Sequence, residues 1–396
     1  MKKKVREEYL RRVKRICKSK LNGKNIIDGI NSWAVGIVRY GAGIIAWTKE
    51  ELKDMDRKTR KILSLNRGFH VRSNVARLYL PRKEGGRGLQ GIESSVNEEY
   101  AALCQYIHES NEVMLMEARE EGVLKPVECL HDYKNRIKQE RIRDWKEKPL
   151  HGKFLKDVEE FADNESWRWL RNGYLKRESE GMICAAQEQA LRTNSIKHAI
   201  DKTAESPMCR KCRKAPESVQ HIVSGCSLLA QKEYKHRHDR VATRLHWELC
   251  RDYDLEHSKY WYDHKPETVQ ENEKVKILWD MTMFTDRRLP HNRPDICVFH
   301  KEQRKWTFID IAVPFDVNVP NTEQTKVDKY QDLAFEIEQI HHCSVTVVPI
   351  VIGALGTVTS RLKVSLDSLN MSQILGSIQM TAILGSANIL RKILRL

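Results

Sequence analysis

The sequence predicts a multidomain protein with a mainly α N-terminal half, a small zinc knuckle and a C-terminal α/β domain. Three observations carry this. Apolar residues recur every three to four positions among charges through roughly the first 205 residues. Cys209, Cys212, His221 and Cys226 follow one another at gaps of two, eight and four residues. From Ile296 onward, short Val- and Ile-rich runs alternate with a helical pattern.

A chain of 396 residues with a 40% apolar fraction has room for two to three ordinary cores. Lys and Arg number 69 against 54 Asp and Glu, a net charge of +15 distributed along the chain. Such a surplus favours a polyanionic partner, because phosphates neutralised by cations release counterions, although a solvated basic surface has the same composition. Seven of ten cysteines are scattered singly, which fits a reducing compartment where a Cys cluster binds metal. No run of about eighteen apolar residues occurs, so neither a signal peptide nor a membrane span is expected.

Four segments follow from the patterning: 1–95 helical, 96–205 a helical linker, 206–250 the knuckle and its following helix, and 251–396 the α/β domain. In the first, Val5, Tyr9, Val13 and Ile16 make one stripe of a basic helix, and Thr48 with Glu51 has capping-box spacing for a second. That second helix has Leu52, Met55, Ile62 and Leu65 on one side and Lys53, Arg57, Lys58, Arg60 and Lys61 on the other. Leu78 to Leu89 contains three glycines but neither a P-loop ending nor a dinucleotide fingerprint. It reads as a turn, with Arg82, Lys83 and Arg87 available to nucleic acid. In the linker, Trp167 and Trp169 stand beside Arg168, and helix-core anchoring is the plainer reading than base stacking.

At the knuckle, three thiolates and one imidazole can close a tetrahedral structural zinc shell, leaving no open position for catalysis. Arg210, Lys211, Arg213 and Lys214 interleave with the ligands and favour nucleic-acid contact. His236 and His238, beyond a complete shell, read as surface or substrate-contacting residues.

In the last segment, Ile296 to Phe299 and Trp306 to Val313 read as strands around a turn, Thr325 to His341 as a helix, and Ser344 to Ile352 as a buried strand of a mixed sheet. Asp295 opens the first strand and Asp310 lies within the second, so the two carboxylates can converge on Mg²⁺ at one edge. Lys326 and Lys329 return over that sheet on the helix.

The knuckle, the entry His291-Asn292-Arg293-Pro294-Asp295, the strand Phe308 to Pro314 and the helix around Lys326, Lys329 and Tyr330 together resemble the C-terminal part of a site-specific non-LTR retrotransposon polyprotein. Trp33 to Ile92 resembles the thumb of that family. The resemblance implies a thumb, linker, CCHC zinc knuckle and restriction-like endonuclease of the PD-(D/E)xK fold, which nicks DNA to expose a priming 3′-hydroxyl. It makes Asp295 and Asp310 magnesium ligands and catalytic residues. The lysine expected two positions after Asp310 is replaced by Ala312, which transfers that role to Lys326 or Lys329, with Lys326 preferred because Lys329 and Tyr330 can brace the helix or meet DNA. His291 and Arg293 face DNA by position. Target DNA and element RNA are the implied partners and the nucleus the implied location. No Asp-Asp dipeptide is present, so reverse transcription is not expected, and the chain looks like a truncated element copy starting at an internal methionine. The competing expectation is a nucleic-acid-binding zinc-knuckle protein whose nuclease has degenerated.

Overall fold

The computed structural model describes residues 1–120 and 129–395; residues 121–128, within the expected helical linker, lie outside the described set. The four segments read from patterning group into two compact units, one of residues 1–156 with 170–190, the other of 157–169 with 191–396. The expected linker is therefore divided between them, because its helices find their apolar partners in two separate cores.

The first unit is helical. Helix α1 (Lys2–Lys18) buries Tyr9, Val13 and Ile16 of the expected stripe together with Cys17, while Val5 is partly buried against the same core. Helix α2 (Lys49–Leu65) starts at the Thr48–Glu51 capping box and buries Leu52, Met55 and Ile62. Leu65, expected on the same side, is exposed because the helix stops there and Leu63 takes the core position. The hydroxyls of Tyr9 and Thr59, 2.7 Å apart, join the two helices. Helix α3 (Ile92–Glu109) has glycine at its N-cap, with no side chain to satisfy its first amides. Asp56 from α2 does so instead, accepting from Ile92 at 2.8 Å and Glu93 at 3.3 Å.

Helices α4 (Leu130–Lys146) and α5 (Arg177–Gln187) belong to this unit along with several shorter helices. The glycine-containing loop forms the expected turn, with Gly85 and Gly88 at positive φ. A side chain at Gly86 would run into the Leu80 carbonyl at 2.1 Å. Its arginines are not displayed to a ligand. Arg82 and Arg87 turn inward and pair with the fully buried Glu180 of α5 at 2.8 and 2.6 Å, since a charge at the bottom of a core must be matched by another.

The second unit is built on a five-stranded mixed sheet in the order β1 (Val269–Glu271), β2 (Val275–Trp279), β3 (Ile296–His300), β4 (Lys305–Ala312) and β5 (Ser344–Val351). The first three pairings are antiparallel and β4–β5 is parallel. A parallel return needs a crossover, supplied by helices α7 (Val319–Lys329) and α8 (Gln331–His341) once α6 (Lys235–Asp252) has been laid down earlier in the chain. The single helix expected over Thr325 to His341 is thus two, broken at Tyr330, whose φ of −110° and ψ of 10° leave helical geometry. Helices α9 (Ser360–Ser368) and α10 (Leu375–Leu394) follow.

Strand β4 has a near-continuous apolar run because both faces are covered. Ile309 and Ile311 pack with Leu245 and Leu249 of α6, Leu362 of α9 and Ile378 of α10. Trp306 and Phe308 face Tyr330, Leu333 and Ile337 of the crossover. Trp169 is buried, so its anchoring reading holds. Among the described residues no helix is long and apolar enough to cross a membrane.

Replacing Glu180 by alanine strands two buried guanidiniums, and we expect the unfolding free energy of the full chain to drop by about 3–5 kcal/mol. Denaturant unfolding tests this; a loss below about 1 kcal/mol would mean the pairs behave as surface bridges.

Candidate functional site

The knuckle forms around a tight reversal. Met208 and Pro216 bridge in antiparallel fashion, the Cys209 amide donates to Ala215 O at 2.8 Å, and Arg213 adopts the left-handed φ of 55° that the turn between them requires. The reversal aims backbone amides at sulfur: Lys211 N lies 3.4 Å from Cys209 Sγ and Lys214 N 3.5 Å from Cys212 Sγ. Cys212 Sγ is 3.2 Å from His221 Nε2, and the ligand atoms of Cys209, Cys212, His221 and Cys226 lie within 4.8 Å of one another. A tetrahedral zinc shell has ligand–ligand edges of about 3.3–3.8 Å, so the four residues fit this ion in chemistry and in span. The Lys214 amide lowers the Cys212 thiol and burial lowers the His221 imidazole, whereas burial pushes the Cys226 thiol up to about 11.

Two supports of this shell were not apparent from spacing. The Tyr234 hydroxyl accepts from Cys226 N at 3.0 Å and lies within hydrogen-bond reach of the His221 and Ile222 carbonyls, tying both ends of the ligand segment together. Arg210, expected to contact nucleic acid, is instead turned inward. Its guanidinium grips the buried Glu217 at 2.6 and 2.7 Å and reaches the Ile393 carbonyl at 3.2 Å. A cation beside a carboxylate that has left water is held there by the cost of separating them. Lys211, Arg213 and Lys214 are exposed.

The second constellation lies at the end of β3 and β4. Ile296 opposes Ile309 in the last pair of the antiparallel register, and Asp295 and Asp310 are the next residue outward on each strand's chain. Asp310 is buried. Its Oδ1 accepts from Tyr330 OH at 2.6 Å and lies 3.5 Å from Lys329 Nζ, while Lys326 forms an ion pair with Oδ2. Lys329 is shared with the Tyr330 hydroxyl at 2.8 Å, and Tyr330 OH also reaches Arg293 O at 3.0 Å. Burial and the neighbouring Asp310 charge push the Tyr330 hydroxyl far up, so it remains a donor.

Asp295 Oδ2 accepts from Ile311 N at 2.6 Å and from His238 Nε2 at 3.1 Å. Burial works against its charge, but the hydrogen bond and charge of His238 outweigh burial and hold the carboxyl below its ordinary range. His238 comes from the first turn of α6 and is half-buried, neither a free surface residue nor detectable by spacing from Asp295, 57 positions away. Its Nδ1 lies 3.0 Å from Asp239 Oδ1, so both ring nitrogens face acceptors, an arrangement that only the imidazolium satisfies fully. Burial opposes that charge, yet the bonds to Asp239 and Asp295 prevail and raise His238 to about 9.

A cavity of about 450 Å³ opens beside this pair, lined by His238, Asp295, Lys326, Trp279 and Asp280 among others. Lys326 therefore faces the cavity and Asp310 together, whereas Lys329 is divided between Asp310 and Tyr330. Arg293 is exposed and pairs with Asp280 at 2.8 Å; His291 is exposed. Among the described residues, groups of three or more ligating side chains within one ion's span are the knuckle and a buried set of His246, Cys250 and His264, which the scattered cysteines had concealed. The one sequence signal for that set is the four-residue interval from His246 to Cys250 on an amphipathic helix. No family model matches this chain, and no curated protein matches it.

Cys212→Ser should release the knuckle zinc and speed amide exchange across residues 208–226; unchanged exchange with the metal removed would mean the fold of the knuckle does not depend on it. The folded protein holds the His238 proton above the unfolded value of about 6.5. The bond to Asp295 therefore adds stability that is complete below that pH and is lost as pH climbs through about 9. His238→Gln should remove this alkaline decline, measured as melting temperature against pH for both proteins, and parallel curves would rule the pairing out.

Proposed function

We propose that the protein is a DNA endonuclease remnant of a site-specific non-LTR retrotransposon polyprotein, with a structural zinc knuckle and a PD-(D/E)xK-type site. One observation carries the reading. Asp295 and Asp310 are the next residues beyond the Ile296–Ile309 pair of adjacent antiparallel strands, and the following helix brings Lys326 and Lys329 to Asp310. That relocated lysine answers the absence created by Ala312. Two carboxylates, completed by water and phosphate oxygens, suit the hard, oxygen-seeking Mg²⁺. When bound, the metal would polarise the scissile phosphate and lower the pKa of an attacking water.

The residues around the pair have separable tasks. His238 and the Ile311 amide keep Asp295 ionised and fix its Oδ2. Tyr330 orients Asp310 through its hydroxyl. Lys326, facing the cavity, supplies positive charge for the extra negative charge that develops on phosphorus during attack. Cleavage adds water across one P–O bond and leaves a 3′-hydroxyl. The exposed Lys211, Arg213 and Lys214 hold the backbone of the nucleic acid by charge, with no sequence reading implied.

One observation favours a second reading, a binding protein with a degenerate nuclease. Both oxygens of Asp310 are already engaged by Lys326, Lys329 and Tyr330, so cations compete for the position of a metal.

Supercoiled-plasmid nicking in Mg²⁺ separates the two. The endonuclease reading expects nicking by the wild type, none by Asp310→Ala, and a loss of about 10²–10³-fold for Lys326→Ala with a smaller loss for Lys329→Ala. Equal nicking by wild type and Asp310→Ala, or no nicking by either, defeats it. In the latter case DNA affinity that falls steeply with salt, with a slope reduced by about one in Lys211→Ala, supports the binding reading.

A further inference from the structure

The buried set on α6 lies away from both constellations above. His246 and Cys250 stand one turn apart on the inward face of α6, His264 follows the short turn Trp261–Asp263, and Gln270 is the inward-pointing residue of β1. His246 Nδ1 is 2.8 Å from His264 Nε2 and 3.4 Å from Cys250 Sγ, and Cys250 Sγ is 2.9 Å from Gln270 Oε1. His246 and Cys250 are fully buried, and His264 and Gln270 are each 8% exposed. The Gln270 amide is not free to flip, because its Nε2 donates to Glu256 O at 2.8 Å and so commits Oε1 to the cluster.

Four polar side chains from three separate pieces of chain thus converge in an interior otherwise made of Leu245, Leu249, Ile277 and their neighbours. Within the set the facing atoms have only one another as partners, and His246 Nε2, the ring nitrogen not directed at them, is buried without a partner. A polar cluster of this kind costs stability unless something repays its desolvation. Soft sulfur, two imidazole nitrogens and a carbonyl oxygen form a donor set suited to Zn²⁺, and the separations of 2.8, 2.9 and 3.4 Å need open by only about half an ångström or less to reach the edges of a tetrahedral shell.

We propose that His246, Cys250 and His264, with Gln270 Oε1 as fourth donor, form a second zinc site of structural type. On binding, the Cys250 thiol gives its proton to solvent and the thiolate takes the ion. The closed shell leaves no position for substrate. The site clamps the C-terminal half of α6 to the loop after it and to β1, a strand of three residues that has one neighbour in the sheet. It stands whether or not Asp295 and Asp310 cleave DNA.

Zinc content of the full chain, refolded with excess Zn²⁺ and then desalted, is expected to be two equivalents by elemental analysis. Cys212→Ser should retain one, lost in turn from Cys212→Ser/His264→Gln, while Asp295→Asn should retain both. Cobalt titration of the wild type provides a readout free of folding defects in the variants. Two equivalents should bind, one giving a thiolate-to-cobalt charge-transfer band about one third as intense as the other, as one sulfur against three requires. A single equivalent in the wild type, a second equivalent with no thiolate band, or a second equivalent lost in Asp295→Asn would each overturn the proposal.

Discussion

A carboxylate buried on a central strand is the constraint around which the second unit is arranged. Asp310 lies in β4 among Phe308, Ile309 and Ile311, where an unpaired charge would cost several kcal/mol. Its compensation comes from the crossover: Lys326 and Lys329 at the end of α7, and Tyr330 at the break before α8. A straight helix through position 330 would not leave the Tyr330 hydroxyl bridging Asp310 and the Arg293 carbonyl. The break at Tyr330 lies on the same crossover whose Leu333 and Ile337 pack with Trp306 and Phe308 before the chain returns into β5.

The same rule governs the first unit. Glu180 sits at the bottom of a helical core and draws Arg82 and Arg87 inward, and Asp56 compensates for a glycine N-cap by accepting the first amides of α3. Arg210 with Glu217 repeats the pattern beside the knuckle. Part of the basic surplus is therefore structural cement. The cations left for a polyanion are those with exposed tips, such as Lys211, Arg213 and Lys214.

What could be read from the sequence follows the range of the interactions. The Thr48 capping box, the apolar stripe of α1, the strand containing Asp310 and the ligand spacing of the knuckle are each encoded within a few residues and are found where expected. The antiparallel pairing of the strands that flank Asp295 and carry Asp310 was legible because a short hairpin fixes its own register. The roles of Arg82, Arg87, Arg210 and His238 were not, since each is decided by a buried partner brought near by folding. Glu180 lies about a hundred positions from the loop it organises, and Asp295 is 57 from His238. The break at Tyr330 escaped for a related reason: nothing in the local helical pattern records the pull of Asp310.

Helix α6 has obligations at both ends. His238 in its first turn supports Asp295, and eight residues on, His246 begins the buried His/Cys set that reaches β1. Eight residues span about 12 Å and turn the helix by roughly 80° beyond two full rotations, so the two faces are set by one rigid phase. Inserting or deleting one residue between them would swing either end by about 100°. The helix thus works as an indexed shaft, and drift in its length is barred even where its individual side chains are free to change.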